Sequence, residues 1–446
     1  MGPTRPWAFR YVGPMADHAG NDRDYDVVLF GTTGFTGRLV AERLVERAPA
    51  GLRVALAGRS LAKLATVRDS LGPVAAEWPL MLVDSGDRST LVKMARAATA
   101  VATTVGPYAK YGLPLVEACA KAGTHYVDLS GEVLFMRASA DAHDAAARTS
   151  GARIVHACGF DSIPSDLGVL ILNEVAGGLG ETTLLVTQMR GGMSGGTLAS
   201  GRVQADAVAA NPSARDIVLD PYSLSPDRAQ EPDLGDHGDL RGPTHDPELG
   251  WLAPFFMAST NTRVVRRSNA LAGYPYSREF RYREAMAFGE GMSARAKAMG
   301  VSTGLGAMGA AMGFGPARAG IGKVLPKPGE GPSAEDRAAG HFRMDIHGTS
   351  LAGERYVATV AAQGDPGYAA TSLMLAEAVL LAASGDPGLP DRAGVLTPAT
   401  GLGMPLVERL RAAGMTLEAG PWVPPGDAED TADAADAEDT ADAEDA

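Results

Sequence analysis

The chain has very little cysteine, since Cys119 and Cys158 are the only two among 446 residues. A disulfide framework therefore cannot be the source of stability, and we expect two buried thiols and a cytoplasmic location. The sequence also lacks a His-Glu-x-x-His pattern, a cysteine cluster and a Ser-His-Asp spacing. Metal-dependent hydrolysis and acyl transfer are thus without support, and we predict no metal site.

An apolar run is missing from residues 1–24, which argues against a secretory signal and predicts a flexible arm. An excess of basic charge is missing as well. The net charge is −13, but ten acidic residues and no basic one lie in residues 427–446, so the rest of the chain carries only about −3. We therefore predict a disordered acidic tail over residues 426–446 and no binding of nucleic acid.

One long uncharged stretch is present, over residues 298–317, with six glycines and few large apolar side chains. Its length would span a bilayer, but its composition favours a close-packed internal helix. The four-residue spacing of Gly300 and Gly304 is typical of helices that approach closely. A peripheral membrane contact through this stretch stays open as an alternative.

Short apolar runs alternate with helical patterns from residue 26 to about residue 158. The predicted strands cover residues 26–30, 53–57, 79–83, 100–105, 125–129 and 153–157. Strands separated by helices of this length predict βαβ units and a doubly wound parallel sheet. We therefore predict an α/β protein with an N-terminal Rossmann domain over residues 25–160.

The pattern changes after Gly159, where strands become longer and more polar and helices richer in alanine and glycine. This change predicts a second, mixed α+β domain over residues 161–425 for substrate binding or dimerisation. Its C-terminal part could return to the Rossmann domain.

A glycine-rich turn follows the first predicted strand and opens a helix. Its three glycines permit a tight turn, a close approach of the backbone to a diphosphate, and close helix–strand packing. The helix N-terminus then presents free N–H groups to the anion. The predicted cofactor residues here are Gly31, Thr32, Thr33, Gly34, Phe35, Thr36 and Gly37.

The end of the second strand predicts which dinucleotide binds. A site for NAD usually has an acidic residue there, whereas this chain has Arg59, with Lys63 one helical turn later. A guanidinium can bind a 2′-phosphate in bidentate fashion, which favours NADPH. Asp84, after the third strand, is predicted to contact the adenine or to cap a helix.

The fourth and later strands end in polar groups that would face the nicotinamide. Gly106 would let the cofactor approach and Pro107 would stiffen the turn, so both are predicted cofactor residues. Tyr108 is the predicted catalytic residue, as a proton donor or a group that orients a carbonyl; an aromatic packed between domains is the alternative. Glu132 and Asp161 remain open as polar site residues.

The chain resembles the saccharopine dehydrogenase-like family through residues 25–44 (YDVVLFGTTGFTGRLVAERL), 104–132 and 158–168 (CGFDSIPSDLG). Later blocks, such as residues 254–271 and 394–403, resemble its trans-acting enoyl reductase branch. The resemblance implies an NADP-linked reductase that delivers hydride to the β-carbon of an unsaturated acyl or polyketide-like thioester of lipid biosynthesis. The substrate could be bound to a carrier. The resemblance gives weak support for a homodimer, and it identifies no residue of this chain as catalytic.

Two other functions stay open. A saccharopine-type amino acid or imine oxidoreductase would need a basic pocket for carboxylates. Its candidate arginines are Arg190, Arg263, Arg266 and Arg267. A lipid-associated nucleotide-binding protein with little turnover would use residues 298–317 at a membrane.

Overall fold

The computed structural model describes residues 23–192, 194–233, 239–313 and 331–423. Most of the predicted arm, the acidic tail and residues 314–317 of the uncharged stretch lie outside these ranges. Arg23, at the end of the arm, donates hydrogen bonds to the carbonyl oxygens of Arg96 and Ala122.

The first half contains six strands that alternate with helices, as the hydrophobic pattern predicts. The strands are β1 (Tyr25–Phe30), β2 (Val54–Gly58), β3 (Leu80–Leu82), β4 (Ala98–Thr103), β5 (His125–Asp128) and β6 (Arg153–Val155). The helices are α1 (Phe35–Arg47), α2 (Leu61–Ser70), α3 (Arg88–Ala97), α4 (Tyr108–Ala122), α5 (Val133–Ser150) and α6 (Ile163–Ala176).

The second half mixes longer strands with helices. Its strands are β7 (Leu179–Arg190), β8 (Thr244–Asp246), β9 (Gly250–Pro254), β10 (Arg281–Ala287), β11 (His341–Ser350), β12 (Arg355–Gln363), β13 (Gly394–Leu396) and β14 (Thr416–Pro421). Its helices are α7 (Gly195–Ala210), α8 (Pro212–Leu219), α9 (Ala258–Leu271), α10 (Gly291–Gly313), α11 (Ala334–Ala339), α12 (Thr371–Ala383), α13 (Pro398–Gly401) and α14 (Gly403–Ala412).

Two seven-stranded sheets organise the molecule. The first has the order β13-β6-β5-β4-β1-β2-β3 and is parallel throughout. The second has the order β14-β12-β11-β7-β10-β9-β8 and is mixed, with β7 and β10 parallel and the other neighbours antiparallel. This architecture confirms the predicted α/β class: a Rossmann-type sheet joined to a mixed domain. The seventh strand of the first sheet, β13, comes from the C-terminal part of the chain.

Helix α12 covers one face of the parallel sheet and packs against α1, β4 and β5. Among the described residues, Pro366–Ala383 is the one helical stretch long and apolar enough to span a membrane, and 83% of it is buried inside the protein. Its apolar character is therefore explained by the core that it fills.

Helix α10 contains the described part of the uncharged stretch, and it corrects the prediction of a close-packed internal helix. Most of its residues from 299 onward are exposed or only partly buried. A Cβ atom at Gly300 or Gly304 would meet no heavy atom within 4 Å, so these glycines do not mediate helix packing within the described chain. Alanine and glycine at these positions bury too little surface to hold the helix against a neighbour.

Candidate functional site

The glycine-rich turn lies between β1 and α1, at the carboxyl edge of the parallel sheet. Gly31 has a φ of +96°, a conformation that favours glycine, and a Cβ atom there would lie 2.7 Å from Thr104 Oγ1. At Gly37 a Cβ atom would lie 2.2 Å from the Gly31 carbonyl oxygen. Both positions therefore require glycine, for the turn and for helix–strand packing as the spacing indicates.

Gly34 plays a different part, because it is the N-cap of α1 and supplies no side-chain acceptor. A Cβ atom there would contact only the Gly31 carbonyl oxygen, at 3.3 Å. The first turn of α1 also carries no acidic residue, so its backbone N–H groups keep their capacity to bind an anion. This uncapped cradle fits the diphosphate of a dinucleotide.

The remaining turn residues divide into two groups. The Thr32 side chain is fully buried and its hydroxyl donates to the Leu29 carbonyl oxygen at 2.8 Å, so it stabilises the turn by binding it to the end of β1. Phe35 is partly buried and lies edge-on to the ring of Tyr368, with the Arg337 guanidinium 5.3 Å from its centroid. Thr33 and Thr36 are partly exposed.

Arg337 and Tyr368 were not predicted from the sequence. They belong to the second half of the chain, and the segments that carry them close over the start of α1. Some three hundred residues separate them from Phe35, and no local pattern encodes such a contact. Arg337 therefore adds a positive charge at the rim of the diphosphate cradle.

Arg59 directly follows β2 and its side chain is exposed. Among the residues that the structure describes, none forms a hydrogen bond or ion pair with the guanidinium, so it is available for a 2′-phosphate. Lys63 is exposed in the first turn of α2, whose N-cap is Ser60. Both cations lie just after β2, where Rossmann domains bind the adenosine ribose, and their contact with a 2′-phosphate stays a prediction.

Asp84 is exposed after β3, and its carboxylate accepts a hydrogen bond from Gly86 N at 2.9 Å. The alternative role as a helix cap is wrong, because Asp87 occupies the N-cap of α3 and accepts from Ser89 N. A contact with adenine stays a prediction for Asp84.

The segment after β4 contains the predicted catalytic tyrosine. Gly106 is exposed, and Pro107 is the N-cap of α4. Tyr108, in contrast, is only 5% exposed. Its hydroxyl donates to the Thr103 carbonyl oxygen at 3.1 Å and accepts from Leu129 N at 3.2 Å. Burial raises the pKa of this hydroxyl well above its usual value. Both hydrogen bonds stay inside the protein, so the geometry gives Tyr108 a packed, structural role. Its hydrogen-bond partners and the neighbouring ring of Phe135 belong to the first half of the chain, so it is not packed between domains as the alternative had it.

Glu132 is buried and closes the N-terminus of α4. Its carboxylate accepts hydrogen bonds from Tyr108 N at 2.8 Å and Ala109 N at 2.7 Å, and from the Ser200 hydroxyl of α7 at 2.6 Å. Because Pro107 offers no side-chain acceptor, this carboxylate replaces the missing cap. Glu132 therefore positions the helix and joins it to α7.

Asp128, at the end of β5, is the centre of a fully buried hydrogen-bond network. It accepts from the Tyr126 and Ser130 hydroxyls at 2.8 Å each, and it lies 2.8 Å from His156 Nδ1. Although burial alone would raise its pKa, the charge and hydrogen bond of His156 and the donors of Ser130 hold the pKa of Asp128 below its usual value. This carboxylate is fully committed to neighbours.

Asp161 differs from both of these carboxylates. It is partly buried beyond the end of β6 and reaches across to Gly131, in the segment after β5: a Cβ atom at Gly131 would lie 3.4 Å from Asp161 Oδ1. Within the described residues, no other residue donates a hydrogen bond to its carboxyl group. Burial, with a smaller contribution from the nearby charge of Asp128, raises the pKa of Asp161 to about 7.

Three arginines of α9, proposed as a basic pocket, are buried and bind backbone carbonyl oxygens. Arg263 donates to Val218 O at 3.0 Å and pairs with Asp239 at 2.8 Å. Arg266 donates to Tyr282 O at 2.8 Å, and Arg267 donates to Val395 O at 2.6 Å. The expected pocket for a substrate carboxylate is therefore wrong for these three, while Arg190 lies exposed at the end of β7. Over the described ranges, no group of acidic, histidine or cysteine side chains could hold a metal ion.

A parallel sheet with an open diphosphate cradle and an exposed arginine after its second strand defines an NADP-binding oxidoreductase. Comparison with known families agrees, since residues 27–155 match the saccharopine dehydrogenase NADP binding domain.

The chain is 49% identical over 409 residues to a Mycobacterium tuberculosis protein provisionally named a trans-acting enoyl reductase, covering 89% of this chain and 97% of that one. It is 43% identical over 411 residues to the trans-acting enoyl reductase of Mycobacterium ulcerans, covering 89% and 98%. Saccharopine dehydrogenase (L-Glu forming) from Saccharomyces cerevisiae, a solved structure, aligns with a TM-score of 0.49 at 13% identity, covering 89% and 99%. The chain belongs to the saccharopine dehydrogenase-like family, in the branch of the trans-acting enoyl reductases.

Proposed function

We propose that this oxidoreductase uses NADPH to reduce the carbon–carbon double bond of an α,β-unsaturated acyl thioester. The names of the relatives support this substrate class. The observation that favours a thioester over an amino acid substrate is the hydrogen bonding of Arg263, Arg266 and Arg267. Because these three guanidinium groups are buried and direct their hydrogen bonds to carbonyl oxygens of the chain itself, they are not presented to the carboxylates of a dicarboxylic amino acid. An enoyl thioester, which carries no carboxylate, needs no such pocket.

The residues of the chain have distinct roles in this reaction. When bound, the reduced nicotinamide supplies a hydride. The turn of Gly31, Gly34 and Gly37 holds the diphosphate against the N-terminus of α1, and Arg59 binds the 2′-phosphate. Gly106, exposed at the end of β4, leaves room beside the nicotinamide half.

The acyl chain would lie along α7 and α10, the helices beside this edge of the sheet. Ser200 of α7 donates to Glu132 at the N-terminus of α4, and α10 packs against α7. Both helices are rich in alanine and glycine, and Met299 and Met308 of α10 are exposed. These features suit a carrier-bound lipid or polyketide-type substrate. The proposal also includes a cytoplasmic location, peripheral contact with a membrane and assembly as a homodimer.

The cofactor assignment is tested by calorimetric titration of NADPH and NADH into the parent protein and the variant Arg59→Gln. We expect the variant to weaken NADPH binding by about 10-fold or more, because a charge-assisted contact to phosphate is lost. NADH binding should change by less than about two-fold, because NADH has no phosphate there. The control is Arg68→Gln at the other end of α2, where Arg68 pairs with Asp69. Equal NADPH affinity in parent and Arg59→Gln would contradict the assignment.

The substrate assignment is tested by following loss of nicotinamide absorbance with enoyl thioesters of increasing chain length. We expect turnover with thioesters and no oxidation of saccharopine by NADP+, which is the reaction of a saccharopine-type oxidoreductase. Activity with the amino acid substrate and none with thioesters would establish an amino acid oxidoreductase in place of the proposed enoyl reductase.

A further inference from the structure

We propose that Asp161 is the proton donor of the reduction and delivers its proton to the α-carbon of the substrate. This inference rests on the proposed function, because the proton acceptor is the enolate of an acyl thioester. It concerns a residue for which neither the fold nor the relatives supply a role.

The position of Asp161 is the first support. In a parallel sheet the cofactor lies beyond the carboxyl ends of the strands, with the nicotinamide half past the switch point between β1 and β4. Asp161 follows β6, but its carboxyl group reaches to Gly131, after β5, on that side. The Thr260 hydroxyl of α9 fixes the same segment by donating to the Gly131 carbonyl oxygen at 3.0 Å. Asp161 therefore lies at the edge where the reacting atoms would be.

The second support is that, among the carboxyl groups described at this edge, Asp161 is the one that accepts no hydrogen bond from another residue. Asp128 accepts hydrogen bonds from hydroxyl and backbone donors around it, and Glu132 accepts from two N–H groups and Ser200. The Tyr108 hydroxyl bridges Thr103 and the backbone after β5. A group that must give up and regain a proton in each cycle cannot be held by fixed donors of other residues, and among these described groups only Asp161 meets this condition.

The protonation state is the third support. The pKa of Asp161 is raised to about 7, chiefly by burial, so near neutral pH a large share of the molecules carry the carboxylic acid. General acids work best with a pKa near the working pH. The titratable groups that interact with it are Asp128 and the Tyr108 hydroxyl. The start of α9 and the start of α12 lie beside it with the uncharged side chains of Met257, Thr260 and Thr371. The negative charge of Asp128 also favours the protonated form.

The chemical step balances with the reduced nicotinamide as the reductant. Two electrons and one hydrogen pass as hydride to the β-carbon, a C–H bond forms there, and the double-bond pair moves onto the thioester as an enolate. The enolate α-carbon then takes the proton of the Asp161 carboxyl group, which forms the second C–H bond and leaves a carboxylate. Water reprotonates the carboxylate before the next turnover.

The first experiment needs no substrate. The side-chain carboxyl of Asp161 is titrated by NMR in protein labelled with 13C at aspartate, using the isosteric variant Asp161→Asn to assign its signal. NADP+ carries a positive charge on the nicotinamide ring that NADPH lacks. If Asp161 faces this ring, its pKa should be lower with NADP+ than with NADPH by about one pH unit. Equal pKa values with both nucleotides would overturn the proposal.

The second experiment uses trans-2-decenoyl N-acetylcysteamine as the probe thioester, in D2O. We expect Asp161→Asn to bind NADPH within about two-fold of the parent and to lose about 100-fold or more in kcat. The facial selectivity of deuterium at the α-carbon should also be lost, because solvent then replaces the positioned donor. The control is Asp166→Asn, which removes another buried carboxyl with a pKa of about 7, bound to Ser268 and to Ala399 N beside β13, the outermost strand of the sheet.

The outcomes separate the two proposals. Unchanged kcat and unchanged facial selectivity in Asp161→Asn would overturn the role of Asp161 while leaving the enoyl reductase function intact. A parent protein that reduces no thioester, but whose Asp161 titration responds to NADP+, would overturn the substrate class and support the placement of the acid. Loss of activity in Asp166→Asn to the same extent as in Asp161→Asn would assign the effect to general destabilisation and overturn the proposal.

Discussion

Three carboxyl groups near the ends of β5 and β6 differ in chemistry because their hydrogen-bond donors differ. Asp128 is surrounded by donors and has a lowered pKa, whereas in the described part of the chain Asp161 receives no hydrogen bond from another residue and has a pKa of about 7. Glu132 is engaged by the N-terminus of α4. The sequence shows the acidic residues but not their donors, which come from other segments.

The structure of Tyr108 predicts the result of Tyr108→Phe. Removal of the hydroxyl leaves Leu129 N without its acceptor, and an unsatisfied buried N–H costs about 1–3 kcal/mol of the free energy of unfolding. We expect reduced stability in chemical denaturation, with kcat close to that of the parent. A large fall in kcat at unchanged stability would instead identify Tyr108 as the catalytic proton donor.

The role of a residue can be predicted from the sequence when the groups that it contacts lie close to it in the sequence. Gly31, Gly34 and Gly37 are predictable, because turn, cap and helix start lie within seven positions. Arg59 is predictable because its position after a strand is also local. Tyr108 is not, because the acceptor and donor of its hydroxyl belong to β4 and to the segment after β5.

At the scale of elements, α4 begins without a cap of its own and obtains one from Glu132, twenty-four residues later. In Glu132→Gln an amide NH2 would face one of the helix N–H groups, and the favourable charge at the helix N-terminus would be lost. We expect the free energy of unfolding to fall by about 1–3 kcal/mol, measured by urea denaturation.

The control for this prediction is Ser200→Ala, which removes one hydroxyl donor and leaves in place both hydrogen bonds that backbone N–H groups donate to Glu132. It should cost about 1 kcal/mol or less. If Glu132→Gln proved as stable as the parent, the carboxylate would not be the cap of α4.

Elements were predicted well where periodicity and core packing agree. The six strands of the first half were placed within a few residues, because buried parallel strands have continuous apolar runs. Helix α10 was placed wrongly in the interior. Its glycine spacing is compatible with close helix packing but does not specify a partner, and the described chain provides none at Gly300 or Gly304.

At the scale of the whole molecule, burial of acidic groups predicts how stability depends on pH. Asp161, Asp166 and Glu284 each have a pKa raised to about 7, mainly by burial. The folded state therefore keeps protons that the unfolded chain releases near pH 4. Stability from each group is present below that pH and is lost as the pH rises towards 7, by up to about 1.4 kcal/mol per pH unit.

The test compares Asp166→Asn with the parent by urea unfolding between pH 5 and pH 7. We expect the variant to lose less stability as the pH rises, by up to about 1.4 kcal/mol per pH unit, because one linked proton is gone. Asp141→Asn, at an exposed carboxylate paired with Arg137, should leave the slope unchanged. Parallel slopes for Asp166→Asn and the parent would show that Asp166 is ionised in the folded protein.

The seventh strand of the parallel sheet has a consequence for dissecting the enzyme. β13 pairs with β6, although some 240 residues separate them, and Arg267 of α9 holds it through Val395 O. A fragment that stops near residue 160 would carry every nucleotide-contacting residue predicted from sequence, yet would present the unpaired backbone of β6 to solvent. Such a bare edge invites association between copies. The first 160 residues therefore contain the predicted nucleotide-binding residues, but they need β13, from the C-terminal part of the chain, to complete their sheet.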